Sequence, residues 1–293
     1  MVSKSLKLPL LVIVGPTASG KTSLAIEIAK KFNGEIICAD SRSVYKGTNI
    51  GTAKPSIKDQ NIVPHWGLDL VDPGSYYSVS DYKFYADQKI SEIRSRGRIP
   101  ILVGGTGLYI DAILFDYKFG LPADIRLRTK LQQLSLDKLY EYCIKNKIAL
   151  PNNYKNKRYV IRSIERNGTI PQKNDKPQNN CIIVGITTEN ACLKGKIIDR
   201  INQMFKDGVL EEAKQLGRNF GWDNEAMKSN IYPLIHRYLQ GEMDLDEVKS
   251  KAVSLDLHLA KRQLTWLRRN IFIQWFSFTN AKKFLHHELA NRT

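Results

Sequence analysis

The stretch LLVIVGPTASGKTSLAIEIAKKF, Leu10 to Phe32, decides the fold class. Its first five residues form an unbroken apolar run, the pattern of a strand covered on both faces. The next eight, GPTASGKT from Gly15 to Thr22, spell a glycine-rich phosphate loop. Leu24, Ala25, Ile28, Ala29 and Phe32 then recur at helical spacing and form one apolar stripe behind the strand. Strand, loop and helix in that order supply the structural context that the letters alone do not. Gly15 and Gly20 permit the tight backbone path that turns amide N–H groups inward, and the helix N-terminus adds positive potential toward an anion. Lys21 is expected on phosphate oxygens, and the Thr22 hydroxyl is expected to hold Mg²⁺. The loop requires a polyphosphate ligand but leaves the chemistry open, because kinases, NTPases and other transferases share it.

Three further apolar runs read as buried strands: Glu35 to Ala39, Ile99 to Val103 and Cys181 to Ile186. Helical patterns lie between them, so the expected class is α/β, a P-loop NTPase-like core with a mainly parallel sheet. Between Asp116 and Asn180 the pattern turns helical and polar, punctuated by Pro122, Pro151, Pro171 and Pro177. This gives an expected division into 1–115 as the first part of the core, 116–180 as an inserted helical lobe, and 181–293 as core completion with C-terminal basic helices. A long helical pattern from Leu245 to Arg269 carries Lys261, Arg262, Arg268 and Arg269 beside Trp266.

Charge adds a constraint. The 293 residues hold 45 Lys and Arg against 29 Asp and Glu, a formal charge of +16. Such a surface attracts a polyanion and binds it by releasing counterions, although a plain solubility charge is the competing reading. The lobe alone has 14 Lys and Arg against 6 Asp and Glu, so it carries +8 of the +16. A uniform solubility charge would not concentrate in this way, and the lobe is therefore a candidate nucleic-acid clamp, with a solvated helical hairpin as the alternative. No run approaches the ~20 apolar residues of a membrane span. Met1 to Leu11 lacks the apolar stretch and small-residue cleavage site of a secretory signal, so a cytoplasmic protein with no membrane partner is expected. Cys38, Cys143, Cys181 and Cys192 are scattered without a Cys-x-x-Cys pair and read as reduced thiols.

Asp40 follows the second strand, with Ser41, Arg42 and Ser43 behind it. In a parallel sheet these residues emerge at the carboxyl edge beside the phosphate loop, where ligands bind. A carboxylate there can accept a proton from an attacking nucleophile, or it can organise a metal ion as in an NTPase. The third run ends in Gly104, Gly105, Thr106, Gly107, with Tyr109 one turn on. The Thr106 hydroxyl can donate to a leaving group or position a nucleophile, or it can simply cap a turn.

The segments GPTASGKT, ADSRSVYKGTNIGTAKP (Ala39 to Pro55), GRIPILVGGTGLYIDAIL (Gly97 to Leu114), KRYVIRSIE (Lys157 to Glu165) and AKRQLTWLRR (Ala260 to Arg269) resemble those of bacterial tRNA dimethylallyltransferases, also called tRNA isopentenyltransferases. Order and spacing fit across nearly the whole chain. The resemblance implies dimethylallyl diphosphate as donor and, as acceptor, the exocyclic amine of the adenine immediately 3′ of the anticodon. It assigns Gly15, Pro16, Thr17, Ala18, Ser19, Gly20, Lys21 and Thr22 to the diphosphate, with Thr22 also on the metal. It makes Asp40 the general base and sets Thr106 between donor and acceptor. Asp40, Ser41, Arg42, Ser43 and Thr106 match tRNA-contacting positions, as do Arg126, Lys157, Arg158 and Arg162 on the lobe. Lys261, Arg262 and Arg268 are further candidates for contacts to the anticodon stem-loop backbone.

The chain departs from the family pattern in three places. Lys228 stands where an Arg usually reaches the diphosphate, which keeps the charge but loses the bidentate fork. Asp256, Leu257 and His258 replace a Thr-Arg-Gln pattern, and Ser43 replaces a common Gln. His65 and His258 read as structural or substrate-adjacent residues, not as metal ligands. A monomer is expected, because one chain carries both donor and acceptor sites.

Overall fold

The structure, a computed structural model, describes residues 8–120, 124–170 and 172–292. Pro122 and Pro171, read above as punctuation, lie outside the described residues, as does most of the N-terminal stretch Met1 to Leu11. Strands β1 (Leu10–Val14), β2 (Gly34–Ala39), β3 (His65–Trp66), β4 (Ile99–Gly104), β5 (Cys181–Thr187) and β6 (Gln274–Ser277) form one sheet in the order β3-β2-β4-β1-β5-β6. Every pairing is parallel. The four strands expected from apolar runs are present within a residue at each end. The two edge strands were not anticipated, since His65–Trp66 has only two residues and Gln274–Ser277 is partly exposed, so neither shows the buried run that marked the others.

The helices around the sheet are α1 (Lys21–Lys31), α2 (Ile57–Ile62), α3 (Val79–Ser95), α4 (Gly107–Leu114), α8 (Asn190–Lys206), α9 (Val209–Phe220), α10 (Tyr232–Leu239), α11 (Leu245–Leu267) and α12 (Phe278–Ala290). The lobe holds α5 (Ile125–Gln133), α6 (Leu136–Lys145) and α7 (Lys157–Glu165). Leu11, Ile13, Ile36, Ile101 and Val184 pack on Leu24 and Ile28 of α1 and Leu285 of α12. A second cluster joins α8 to α11 through Ile197, Ile201, Leu216, Tyr232 and Val248. Burying each such aliphatic side chain contributes about 1.5–3 kcal/mol, so the first cluster fixes α1 and α12 on the sheet and the second fixes α8 to α11 on one another.

Strand order and register explain where ligands meet. β4 lies between β2 and β1, and Gly104 pairs with both Ala39 and Val14. Three chain segments therefore leave the sheet side by side at one level: the loop after β1, Asp40 after β2, and Gly105–Thr106 after β4.

Two compact units result, one from residues up to 114 together with those from 177 onward, the other from 115–176. Within the lobe, Leu131, Leu139, Cys143, Val160, Ile161 and Ile164 form a small core of their own. Glu165, its side chain 2% exposed, receives Arg128 Nε at 2.5 Å and Arg162 Nη1 at 2.9 Å. Burial opposes ionisation of this carboxyl, but hydrogen bonds from Arg128 and Arg162 outweigh it and hold the group below its ordinary range. Among the described residues no helix is long and apolar enough to cross a membrane.

Candidate active site

The phosphate loop is built by local backbone geometry. Ser19 N–H donates to the Pro16 carbonyl at 3.2 Å, closing a turn. Gly20 has φ 89°, a left-handed conformation that costs a side-chain-bearing residue free energy, and this residue turns the chain into α1. No side chain caps the first turn of α1, whereas the Ser78–Asp81 box closes the start of α3. Its first N–H groups are thus left to an anion from outside the helix. Lys21 folds back over the loop, its Nζ 3.1 Å from the Pro16 carbonyl.

The electrostatics of this loop point the same way. Burial, partly opposed by the charge of Asp40 and reinforced by that of Arg200, brings the Lys21 ammonium down to about 8. Two cations, Lys21 and Arg200, converge on this loop and favour an anion there.

Arg200 was not anticipated from the sequence. It lies on α8, where it reads as one polar residue of an amphipathic helix, and only tertiary packing brings its Nη1 onto Thr17 Oγ1. Gln263 of α11 is a second such residue. Its Oε1 accepts the Thr17 N–H at 2.8 Å, and its amide lies where a Cβ on residue 105 would approach to 2.3 Å, so the glycine at 105 lets α11 close on both loops.

Asp40 and Thr106 come together as expected. Asp40 Oδ1 accepts the Arg42 N–H at 2.8 Å, a local turn that fixes the carboxylate. Thr106 N–H donates to the Ala39 carbonyl at 3.2 Å, and Thr106 Oγ1 accepts the Ser41 N–H at 3.1 Å. With its oxygen so engaged, the hydroxyl keeps its own proton to donate. Asp40, Thr106, Lys21, Arg200 and Lys228 all line one cavity of about 390 Å³, within the size range of small-molecule sites. Ile201, Met204 and Ala252 supply an apolar portion of the same wall.

The remaining sequence-derived positions divide by environment. Ser41 and Arg42 line the cavity, and Arg42 Nη1 also donates to the Glu225 carbonyl at 2.7 Å. Ser43 is only 4% exposed, so its side chain is part of the packed wall and not of the surface. Lys228 is drawn to Glu225, 2.9 Å away. Lys261, Arg262 and Arg268 are exposed on or just beyond α11, and Lys261 and Arg262 border a shallow hollow with Trp266. On the lobe, Arg126 and Arg158 are exposed, Lys157 Nζ donates to the Gln132 carbonyl at 2.7 Å, and Arg162 is engaged with Glu165. Tyr109 is 5% exposed and stacks on Tyr82 at 4.0 Å, a packing role. His65 bonds the Val63 carbonyl through Nδ1, and burial lowers its pKa.

One wall is held by an unusual acceptor. Glu212 of α9 accepts three consecutive backbone N–H groups, those of Asn49, Ile50 and Gly51, each at 2.8 Å, and also the Tyr232 hydroxyl at 2.8 Å. The segment so pinned continues into Thr52 and Ala53, which line the cavity with Gly51.

Residues 43–270 match the family model described as IPP transferase. The chain belongs to the IPP transferase family. A tRNA dimethylallyltransferase of Bacillus mycoides is 36% identical over 287 residues, covering 93% of this chain and 90% of that protein. One from Anoxybacillus flavithermus is 37% identical over 283 residues, covering 92% and 90%. The crystal structure of the full-length tRNA isopentenylpyrophosphate transferase from Bacillus halodurans superposes with a TM-score of 0.74 at 34% identity, covering 97% of this chain and 96% of that one. These matches establish an IPP transferase with the P-loop NTPase-like α/β fold. The family-model match runs from just after Asp40 through Thr106 and the lobe.

Among the described residues no group of three His, Cys, Asp or Glu side chains is arranged to hold a metal. Mg²⁺ keeps several waters and is held by one or two protein oxygens together with substrate phosphates. Thr22, half-buried in the first turn of α1, fits that part.

Proposed function

We propose that this chain is a tRNA dimethylallyltransferase that moves the dimethylallyl group of dimethylallyl diphosphate to the exocyclic amine of the adenine immediately 3′ of the anticodon. The observation that carries the reading is the convergence of an anion-ready loop and Asp40 in one cavity, with Lys21 depressed by burial and by Arg200 beside it.

The loop amides, Lys21 and Arg200 bind the diphosphate. As the carbon–oxygen bond of the donor breaks, negative charge grows on the departing diphosphate, and these preorganised cations and N–H groups stabilise it. The amine nitrogen forms the new bond to the allylic carbon, and its proton passes to Asp40. Thr106, between the strand ends that carry the loop and Asp40, orients the amine or donates to the leaving oxygen. Mg²⁺, held by Thr22 and the diphosphate, would supply further charge neutralisation. An adenine stacked in the anticodon loop cannot enter such a cavity, so the enzyme takes it out of the stack. Ser41, Arg42, Lys261, Arg262 and Arg268 contact the RNA on the core, and Arg126, Lys157, Arg158 and Arg162 on the lobe. Lys228 adds charge at the diphosphate when released from Glu225. With tRNA as acceptor the enzyme works in the cytoplasm, as a monomer.

The test is to supply unmodified tRNA, labelled dimethylallyl diphosphate and ATP together. Label is expected in the tRNA with ATP intact, and Asp40→Ala is expected to lose at least about 100-fold in transfer rate, the scale of a missing general base, while still retaining tRNA. ATP consumption without labelled tRNA would assign the loop to a kinase or NTPase instead.

A further inference from the structure

Asp256 is 6% exposed in the cavity wall on α11, and a carboxylate that deeply placed persists only with good partners. It has two. Arg200 Nη2 donates to Oδ2, and Asn230 Nδ2 donates to Oδ1 at 2.7 Å. The same guanidinium reaches Thr17 Oγ1 through Nη1. A chain of side chains therefore runs from the turn before α10, through α11, to α8 and onto the phosphate loop. Arg200 Nε is buried without a protein acceptor, and Arg200, Asp256 and Asn230 all line the cavity. The guanidinium is clamped at both nitrogens of its outer edge, by Thr17 on one side and Asp256 on the other, which fixes its charge at the phosphate loop.

We propose that Asp256, backed by Asn230, is a positioning residue for the donor diphosphate, holding the Arg200 guanidinium against Thr17 at the phosphate loop. This rests on reading the cavity as a diphosphate site. The sign of the effect separates positioning from simple electrostatics. Acting by charge alone, a carboxylate near a diphosphate repels it, and removing Asp256 would tighten binding. Acting as a strut, it confines a long side chain that would otherwise lose rotamer freedom on binding, and removing it weakens binding.

The experiment measures inorganic diphosphate binding by calorimetry, and steady-state transfer to tRNA, for the full chain and for Asp256→Ala, Asn230→Ala, Arg200→Ala and the Arg200→Ala/Asp256→Ala double variant. Asp256→Ala is expected to bind diphosphate about tenfold more weakly, the scale of one well-placed hydrogen bond to a charge. The KM for dimethylallyl diphosphate should rise in parallel while the KM for tRNA does not move. In the Arg200→Ala background the second substitution should add nothing, which a merely structural contribution would not reproduce. Asn230→Ala, which leaves the Arg200–Asp256 pair intact, should shift affinity in the same direction by a smaller factor, and it decides the matter if Asp256→Ala does not fold. Unchanged or tighter binding in the variants at 256 and 230, or additive losses with Arg200→Ala, would overturn the strut. If Arg200→Ala binds diphosphate as the unaltered chain does, this proposal alone falls; if the unaltered chain itself binds no diphosphate, the diphosphate reading of the cavity falls first and takes the proposal with it.

Discussion

Lys21 makes the loop's preference measurable. With its ammonium at about 8 in the ligand-free site, chiefly through burial, it is charged well below that pH in both the free and the diphosphate-bound protein. A bound diphosphate stabilises the charged form and raises this pKa. Above pH 8 the free site must therefore take up a proton to bind, and affinity falls by up to tenfold per pH unit. Calorimetry of inorganic diphosphate binding at pH 8.5, in buffers of different ionisation enthalpy, should show uptake of roughly three-quarters of a proton per site by the protein, and Lys21→Ala should abolish that part. Lys21, Thr22, Asp40 and Thr106 were legible in the sequence because each has a fixed place relative to a strand end. Arg200, Gln263, Asn230 and Asp256 were not assigned roles, because each owes its position to helices packed from distant parts of the chain. Even a motif stretch such as AKRQLTWLRR does not say which residue turns inward. Gln263 does, onto Thr17, whereas Lys261 and Arg262 stay exposed.

At the scale of elements, the clasp between α9 and the 49–51 segment shapes the cavity wall. One carboxylate on three successive amides orders a stretch that has no helix or strand to order it. Glu212→Ala is expected to accelerate hydrogen exchange at Asn49, Ile50 and Gly51 by roughly tenfold, the value of one hydrogen bond, with exchange in α1 unaltered. Transfer to tRNA should slow as the wall loosens. Unchanged exchange at those three amides would show that the clasp does not order them. Strands β1, β2, β4 and β5 could be read from the sequence because parallel strands covered on both faces are continuously apolar. Edge strands β3 and β6 obey no such rule, and short, half-exposed segments such as QWFS carry too little pattern to separate from a turn.

At the scale of the molecule, charge and topology meet. The sheet order sets the phosphate loop and Asp40 on either side of Thr106, and half of the net positive charge belongs to the lobe, 65 of the 293 residues. The concentration of charge was visible in the sequence, and so was the insertion itself. What composition could not supply was the donor, since no periodicity or charge distinguishes a prenyl diphosphate from a nucleotide. The central claim is that these two features serve one transfer to one base. The measurement that tests it most directly is to react the protein with dimethylallyl diphosphate and an unmodified anticodon stem-loop, then digest the RNA and map the product by mass spectrometry. One dimethylallyl group on the adenine immediately 3′ of the anticodon is expected. An RNA that is bound yet returned unmodified, or a prenyl group on any other base, would contradict the account.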